Sequence, residues 1–424
     1  MPAVVMRDYR ADHELTVDGR VLSKGDCDLH LDDEFLIIKG ARAHRIPYEE
    51  IEAIRQVGSA AELTLHPEGL VRIRVLDGAL ARPLFLHLSR LRGARWADLL
   101  RFVEGEILDS LECKFVLDGG EEGAALVRLY PAGLVVLPLG GEPVQLPLHE
   151  METIQLVSYR LRCTTPHLAV TLFGCEPGDL ARVHRSIVEA RRKIGDETAA
   201  LLTELFPALE FAQRTRLADL LPRGKAASKR HIDASVPWLW GRIEEVIRGN
   251  TKGWDAYAHL RALAGDRLWF GLRRLTDLET MDTAETAEEG AAETMPGEMR
   301  EQEMKRDFLF WFIAGLVAGG KRFIAVEVAS AEKGHATYVY RTLEAPSEER
   351  AFDETVGILS RCLVALNFYR EPLYAPQAEI DTGKFARYKL ALRKLEYLRT
   401  ARNLFVGRAI HTKTWQASLE KLVS

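Results

Sequence analysis

The feature that most constrains this chain is a stretch that it states twice. Residues 45–57 read RIPYEEIEAIRQV and residues 145–157 read QLPLHEMETIQLV, one hundred positions apart without a gap. Ile46/Leu146, Pro47/Pro147, Glu50/Glu150, Ile51/Met151, Glu52/Glu152, Ile54/Ile154 and Val57/Val157 fall in register. A repeat at a fixed offset sets architecture before any single motif does, because both copies must fold by the same local rules.

The flanks of the two copies read alike. In the first, residues 1–26 are polar and irregular, and Cys27–Lys39 is a hairpin around Asp32-Asp33. Glu62–His66, Leu70–Leu76 and Leu84–Leu88 follow as strand candidates rich in β-formers. A helix with the stripe Trp96, Leu99, Leu100, Val103 and Ile107 closes the unit. In the second, Leu126–Tyr130 and Leu134–Leu137 flank Pro131-Ala132-Gly133, and Arg160–Cys163 and Leu168–Phe173 are strands. The closing helix carries Leu180, Val183, Ile187, Val188 and Ile194. Aligning Phe102-Val103-Glu104 with Ile187-Val188-Glu189, an offset of 85, predicts that the second copy has lost about 15 residues before its helix.

This order of turn, apolar strand, polar gap and [IL]-P-x-x-E-[IM]-E-x-I, found twice, resembles bacterial pleckstrin-homology-like (PH/GRAM-like) domains in tandem over residues 20–195. The resemblance implies curled β-sheets, each closed by a C-terminal helix, and it is structural rather than catalytic. The paired acids Glu50/Glu52 and Glu150/Glu152 have the residue type for acid–base work, but beside a strand their spacing directs them to solvent.

Beyond residue 195 the pattern changes. Leu201, Leu205, Leu209 and Ala212, and then Trp240, Ile243 and Ile247, have helical spacing. Between them LLPRGKAASKRHI, residues 220–232, holds four Lys/Arg and no acid, and reads as a basic turn. Its Gly-Lys pair lacks the preceding glycine and the following Ser/Thr of a phosphate loop. Arg267–Leu272, Phe308–Leu316, Phe323–Ala329 and Ala336–Thr342 then read as four strands. A helix marked by Phe352, Val356, Leu359, Leu363 and Leu366 follows them. The uncharged run FLFWFIAGLVAGG is shorter than the roughly 20 residues of a spanning helix, so it is assigned to a buried hairpin turning at Gly319-Gly320.

Two segments carry opposite charge. Asp277–Met304 holds ten acids and one base, a composition that cannot bury enough surface to order itself. Lys384–Lys421 holds ten Lys/Arg against Glu396 and Glu420, with the stripe Phe385, Tyr388, Leu392 and Leu395. The expected element is a basic amphipathic helix over 384–402, its stripe docked on the third unit and its charge masked by the acidic insert.

The expected fold class is therefore α+β. It comprises a first PH-like domain at 1–110, a second at 111–195 and a helical linker at 196–253. A four-stranded α+β domain follows at 254–380 with the acidic insert 277–304, and then the basic helical tail 381–424.

Totals narrow the function classes. A net charge of −5 argues against a chain coated in nucleic acid, and the five scattered cysteines form no metal-ligand spacing and suit a reducing, cytoplasmic setting. The N-terminal apolar run is too short for a secretory signal core. No metalloprotease, phosphate-loop, dinucleotide, nucleophile-elbow or kinase motif is present, and no cofactor or metal is expected.

The leading expectation is a non-enzymatic binding or scaffold protein whose PH-like units meet a protein or peptide. An alternative is peripheral binding to anionic lipid through PH-like loops and the basic tail. The third is a chaperone for a basic partner, since tandem PH-like domains with an acidic segment are similar to some eukaryotic histone chaperones. Candidate anion- or partner-binding residues are Arg223, Lys225, Lys229 and Arg230 in the basic turn, and Arg387, Lys389, Arg393 and Lys394 in the tail.

Overall fold

The structure, a computed structural model, describes residues 8–100, 105–222, 225–249, 251–274, 308–329, 336–366 and 368–424. The acidic insert, Arg223 and the aligned Phe102-Val103-Glu104 lie outside the described residues. The chain divides into two compact units, Met1–Arg191 and Arg192–Ser424, and is α+β with three antiparallel sheets among the described residues.

In the first unit, β1 (Asp8–Val17), β2 (Arg20–Leu31), β3 (Phe35–Lys39) and β4 (Ala43–Pro47) lead into a 3-10 turn at Tyr48–Glu50. Then come β5 (Ile51–Val57), β6 (Ala60–Leu65), β7 (Gly69–Val75) and α1 (Ala81–Leu99). The sheet order is β4-β3-β2-β1-β7-β6-β5. The N-terminal segment is thus two long strands rather than irregular chain. Tyr9, Ala11, His13 and Leu15 are buried while Arg10, Asp12, Glu14 and Thr16 alternate with them, the signature of a strand wet on one side. Leu84–Leu88 is helix, not strand: Leu84, Leu88 and Leu91 lie on one helical face, and Pro83 is tolerated in the first turn. The helix accordingly begins and ends earlier than the sequence suggests, and Ile107 lies beyond it.

The second copy runs β8 (Asp109–Leu117), β9 (Glu122–Leu129), β10 (Gly133–Pro138), β11 (Val144–Pro147) and a 3-10 turn at Leu148–Glu150. It continues with β12 (Thr153–Val157), β13 (Arg160–Thr164), β14 (Ala169–Phe173) and α2 (Pro177–Leu205). Its order, β11-β10-β9-β8-β14-β13-β12, is that of the first sheet. The offset of 100 holds through the last strand, from Gly69 to Ala169, and the helices start at Ala81 and Pro177, an offset of 96. The loss before the second helix is therefore about four residues, not 15. The two alignments differ by about three helical turns, and an apolar stripe matches itself at that shift.

The repeated stretch is the corner where each sheet turns from β4 to β5, or from β11 to β12. In the first copy α1 fastens this corner. Arg92, 1% exposed, donates from Nε to the carbonyl of Ile51 at 2.6 Å and from Nη2 to that of Glu52 at 2.5 Å. Its Nη1 donates to the carbonyl of Gly141 in the second copy at 2.8 Å, and Trp96 Nε1 donates to the carbonyl of Tyr48 at 3.0 Å. Glu50 is exposed and Glu52 is half-buried beside His66. β10 is buried on both faces, with Leu137 against Gly93 of α1.

In the second unit, α3 (Phe211–Leu220), β15 (Ala227–Ser228), α4 (Lys229–Ser235), α5 (Leu239–Arg248) and α6 (Thr251–Ala264) precede β16 (Leu268–Arg274). β17 (Phe308–Ala318), β18 (Lys321–Ala329), β19 (Ala336–Arg341) and α7 (Glu348–Ala365) follow. Last come α8 (Glu371–Tyr374), α9 (Gln377–Asp381), α10 (Lys389–Lys394), α11 (Glu396–Leu404), β20 (Phe405–Ile410) and α12 (Trp415–Val423).

The sheet has six strands in sequence order, not four, because β15 and β20 add an edge on either side. One face, with Phe270, Phe312, Phe323 and Val339, shares a core with Leu217, Ile232, Trp240, Ile243, Tyr257 and Leu419. The residues expected as a helical linker therefore help to build this core. On the other face Trp269 meets Phe352 of α7, and Trp311 meets Phe368. Burial on both faces explains the unbroken apolar run of β17.

The tail is not one helix over 384–402. A 3-10 turn at Ala386–Tyr388, α10 and α11 are separate, with Leu395 extended (φ −84°, ψ 110°) between the two helices. Phe385, Tyr388 and Leu392 are buried and Leu395 is half-buried, so the expected stripe does dock, and the chain then forms β20 against β19. Among the described residues no helix is long and apolar enough to cross a membrane.

Candidate anion-binding site

β19 alternates. Thr337 and Val339 face the large core, while Tyr338 and Tyr340 face the side covered by the segments after α7. There Tyr338 stacks on Tyr374 of α8 with ring centroids 5.8 Å apart, and Tyr374 stacks on Phe405 of β20 at 5.5 Å. Tyr340 meets Phe405 edge-on at 5.5 Å. Tyr369 extends the cluster toward Phe385 at 6.0 Å and Tyr388 at 6.2 Å.

Cations stand over these rings. The Arg370 guanidinium carbon is 4.7 Å from the Tyr338 centroid, and that of Arg408 is 4.9 Å from Tyr374. Arg408 Nη1 also donates to the Tyr374 hydroxyl at 3.0 Å. Arg387 lies 4.9 Å over Tyr388 and donates from Nη2 to its hydroxyl at 2.9 Å. Such pairs hold a guanidinium plane in place while leaving N–H edges for other acceptors. Burial pushes the Tyr369, Tyr374 and Tyr340 hydroxyls above the ordinary tyrosine value, so they remain neutral at physiological pH.

A carboxylate beside the cluster is already engaged. Glu371 accepts from Tyr369 at 3.0 Å and from Lys384 at 3.3 Å. Arg402 is structural, donating to the carbonyls of Pro372 at 2.9 Å and Ala375 at 2.6 Å. Arg370 differs from all of these. Its Nε and Nη1 are enclosed and have no hydrogen-bond acceptor, and it makes no ion pair among the described residues. An enclosed cationic donor without an acceptor is costly. The loop that carries Arg370 holds Phe368 at φ +61°, a left-handed conformation unusual for a bulky side chain.

Of the candidate binding residues named from the sequence, only Arg387 among the described ones belongs to the ring cluster, beside Phe385 and Tyr388 of the expected stripe. Lys389 lies 4.0 Å from Asp381, and the Arg393 carbonyl accepts from Arg399. Lys394 is half-buried at the end of α10. In the basic turn Lys225 is exposed, Lys229 pairs with Asp233 at 2.8 Å and Asp266 at 3.1 Å, and Arg230 pairs with Glu349 at 2.6 Å. The hydrogen bond that Lys229 Nζ donates to Asp233 holds the pKa of the ammonium above its usual value. Lys229 and Arg230 of the basic turn are thus paired with acids from outside it.

Arg370 and Arg408 escaped the sequence reading because each looks like an isolated surface charge. Tyr-Arg at 369–370 and Gly-Arg at 407–408 sit in different elements, and the fold sets them against the stacked rings of Tyr338 and Tyr374. The usable signal was the density of Tyr and Arg between 369 and 408.

Two constellations that resemble chemistry have structural roles. Ser228 Oγ lies 2.8 Å from His231 Nδ1, but Ser228 is the N-cap of α4 and accepts from the His231 amide. In the large core Thr337 Oγ1 donates to the buried Glu327 at 2.7 Å and accepts from Trp415 Nε1 at 3.0 Å, with His411 3.4 Å from Glu327. Among the described residues no group of His, Cys, Asp and Glu is arranged to hold a metal ion. No protein-family model and no curated protein matches this chain.

Proposed function

We propose that this chain is a multidomain binding protein. In this reading its first unit is a PH-like scaffold in two copies, and its second unit engages an acidic segment of a partner protein through the Arg370–Arg387–Arg408 surface. The first half is supported by the shared strand order of the two seven-stranded sheets, each followed by a helix. The second half rests on one observation: Arg370, Arg387 and Arg408 each stand against a tyrosine ring. Guanidinium groups pre-set on rings lose little side-chain freedom on binding, which favours recognition of carboxylates and other oxyanions. A role as chaperone for a basic partner would rest on the acidic insert, which lies outside the described residues.

Fluorescence anisotropy of a labelled Asp/Glu-rich peptide against the full chain tests the reading. The peptide is expected to bind, to weaken as salt rises, and to weaken about tenfold or more in the variant R370Q/R387Q/R408Q, given the usual strength of charge-assisted hydrogen bonds. Equal affinity of wild type and variant would sink it. So would flotation of the chain with phosphatidylserine vesicles in the absence of peptide binding, which would move the surface to lipid.

A further inference from the structure

We propose that the sheet of the second unit carries, beside the Gly319-Gly320 turn, a site for a small phosphate dianion, either the free ion or the phosphate group of a small phosphorylated compound. An open cavity of about 190 Å³ lies there, lined by Lys321, Arg322 and Arg341 together with Phe323, Thr342, Leu343 and Glu344. It shares no lining residue with the Arg370–Arg387–Arg408 surface, so the proposal does not rest on the acidic-partner reading. Three cations against one carboxylate leave the lining with a net charge of +2. The side chains of Lys321, Arg322 and Arg341 make no ion pair or hydrogen bond among the described residues, and neither does that of Glu344. Like charges on neighbouring positions repel, and an anion between them turns that repulsion into attraction.

The strand register brings the cations within reach of one anion. Phe323 of β18 lies opposite Arg341 of β19, and Lys321, two residues before Phe323, shares its face. Lys321 and Arg341 are therefore diagonal neighbours, roughly 7–8 Å apart at the backbone, a span that long side chains cover. Both are exposed, so an ion reaches them from solvent. Arg322 is half-buried, and its carbonyl accepts from the Thr342 amide at 3.1 Å where the sheet ends. The lining is held in place, because Phe323 is buried in the large core and Leu343 donates its amide to Thr355 Oγ1 of α7 at 3.0 Å. Size and charge select the ligand. Drug-sized molecules fill clefts of about 300–1,000 Å³, so this cavity takes only a small ion or group. A carboxylate carries one charge, whereas a phosphate monoester carries about −1.5 to −2 and three acceptor oxygens for two guanidinium forks and an ammonium.

The test is calorimetry on the full chain at constant ionic strength, with inorganic phosphate, glycerol 3-phosphate and acetate as titrants. Phosphate should bind saturably, and acetate at least about tenfold more weakly. Tighter binding of glycerol 3-phosphate would assign the site to a phosphorylated compound, and tighter binding of inorganic phosphate to the free ion. R341Q and K321Q should each weaken phosphate binding about tenfold, the usual worth of one charge-assisted bond. E344Q should strengthen it by removing a like charge, and K39Q, at an exposed lysine of the first unit, should leave it unchanged. Thermal melts of each variant separate loss of binding from loss of fold.

Absence of saturable phosphate binding would overturn the site, as would acetate binding as tightly as phosphate. Phosphate affinity unchanged in both folded variants, R341Q and K321Q, would overturn it too.

Discussion

Arg92 brings a full charge into a place with almost no water, and three backbone carbonyls repay its desolvation. Burial pulls its pKa down to about 10, still well above neutral, so the guanidinium stays charged and donates to all three. Replacing it with Met removes the donor and leaves those carbonyls buried. The expected cost is about 3 kcal/mol, because each unsatisfied buried group costs about 1–3 kcal/mol, and a urea titration followed in unit 1 would show it.

The cysteines act the other way. Burial pushes the Cys113 and Cys163 thiols up to about 12 and Cys27 to about 11, so they are inert side chains rather than nucleophiles. Between the ordinary thiol value near 9 and the folded value near 12, the unfolded chain has lost its Cys163 proton and the native chain has kept it. Stability from Cys163 is therefore complete below pH 9 and falls as pH rises through that window. Cys163→Ala should flatten the alkaline decline by up to about 1.4 kcal/mol per pH unit, measured by chemical unfolding at stepped pH. An unchanged slope would contradict the assignment.

At the scale of elements, the twin stretch is a corner that two different devices hold. In the first copy α1 supplies Arg92 and Trp96, whereas at the offset of 96 the second helix has Val188, 44% exposed, and Arg192. The second helix instead fixes the first residue of its sheet, with Arg182 and Ser186 both on Asp109. Duplication preserved the corner and not its fastening.

The two copies also meet at a narrow point. A Cβ on Gly140 would lie 2.5 Å from the Ile54 carbonyl oxygen, and Gly140 has φ +84°. Gly140→Ala should cost unit 1 more than about 1 kcal/mol, from the left-handed backbone alone, and more from the collision. Its counterpart Gly40 would place a Cβ no closer than 3.1 Å to a neighbour, so Gly40→Ala should cost less. Thermal melts of the pair that came out in the reverse order would refute this account.

For the whole molecule, the C-terminal segment is part of the second core rather than an appendage. β20 completes the sheet, and Trp415 and His411 close the polar cluster around Glu327 and Thr337. Ending the chain at Leu404 would bare the edge of β19 and leave Glu327 and Thr337 short of partners. The expected result is loss of the cooperative unfolding of unit 2 with protection in unit 1 retained, read by hydrogen exchange resolved along the chain. A truncated chain whose unit 2 melts within a few degrees of the full one would show the tail to be dispensable.

Sequence reached some of this and missed the rest for identifiable reasons. The repeat, the hairpins at Asp32-Asp33 and Gly319-Gly320, and the helix carrying Phe352 to Leu363 were legible because periodicity and turn chemistry are local. The strands of residues 8–26 were hidden by their charged outer face. The start of α1 was mistaken because two leucines four apart fit a short strand as readily as a helix.

By itself, then, the sequence determined a duplicated β scaffold with a third, doubly buried sheet, since alternation and repetition are written residue by residue. Only the tertiary structure decided that Arg92 bridges the two copies, that acids from outside the basic turn pair with it, and that Arg370 and Arg408 stand against one stacked tyrosine pair. The physical reason is separation along the chain. Arg408 meets Tyr374 once β20 pairs with β19, and no local pattern encodes a neighbour brought in by another strand.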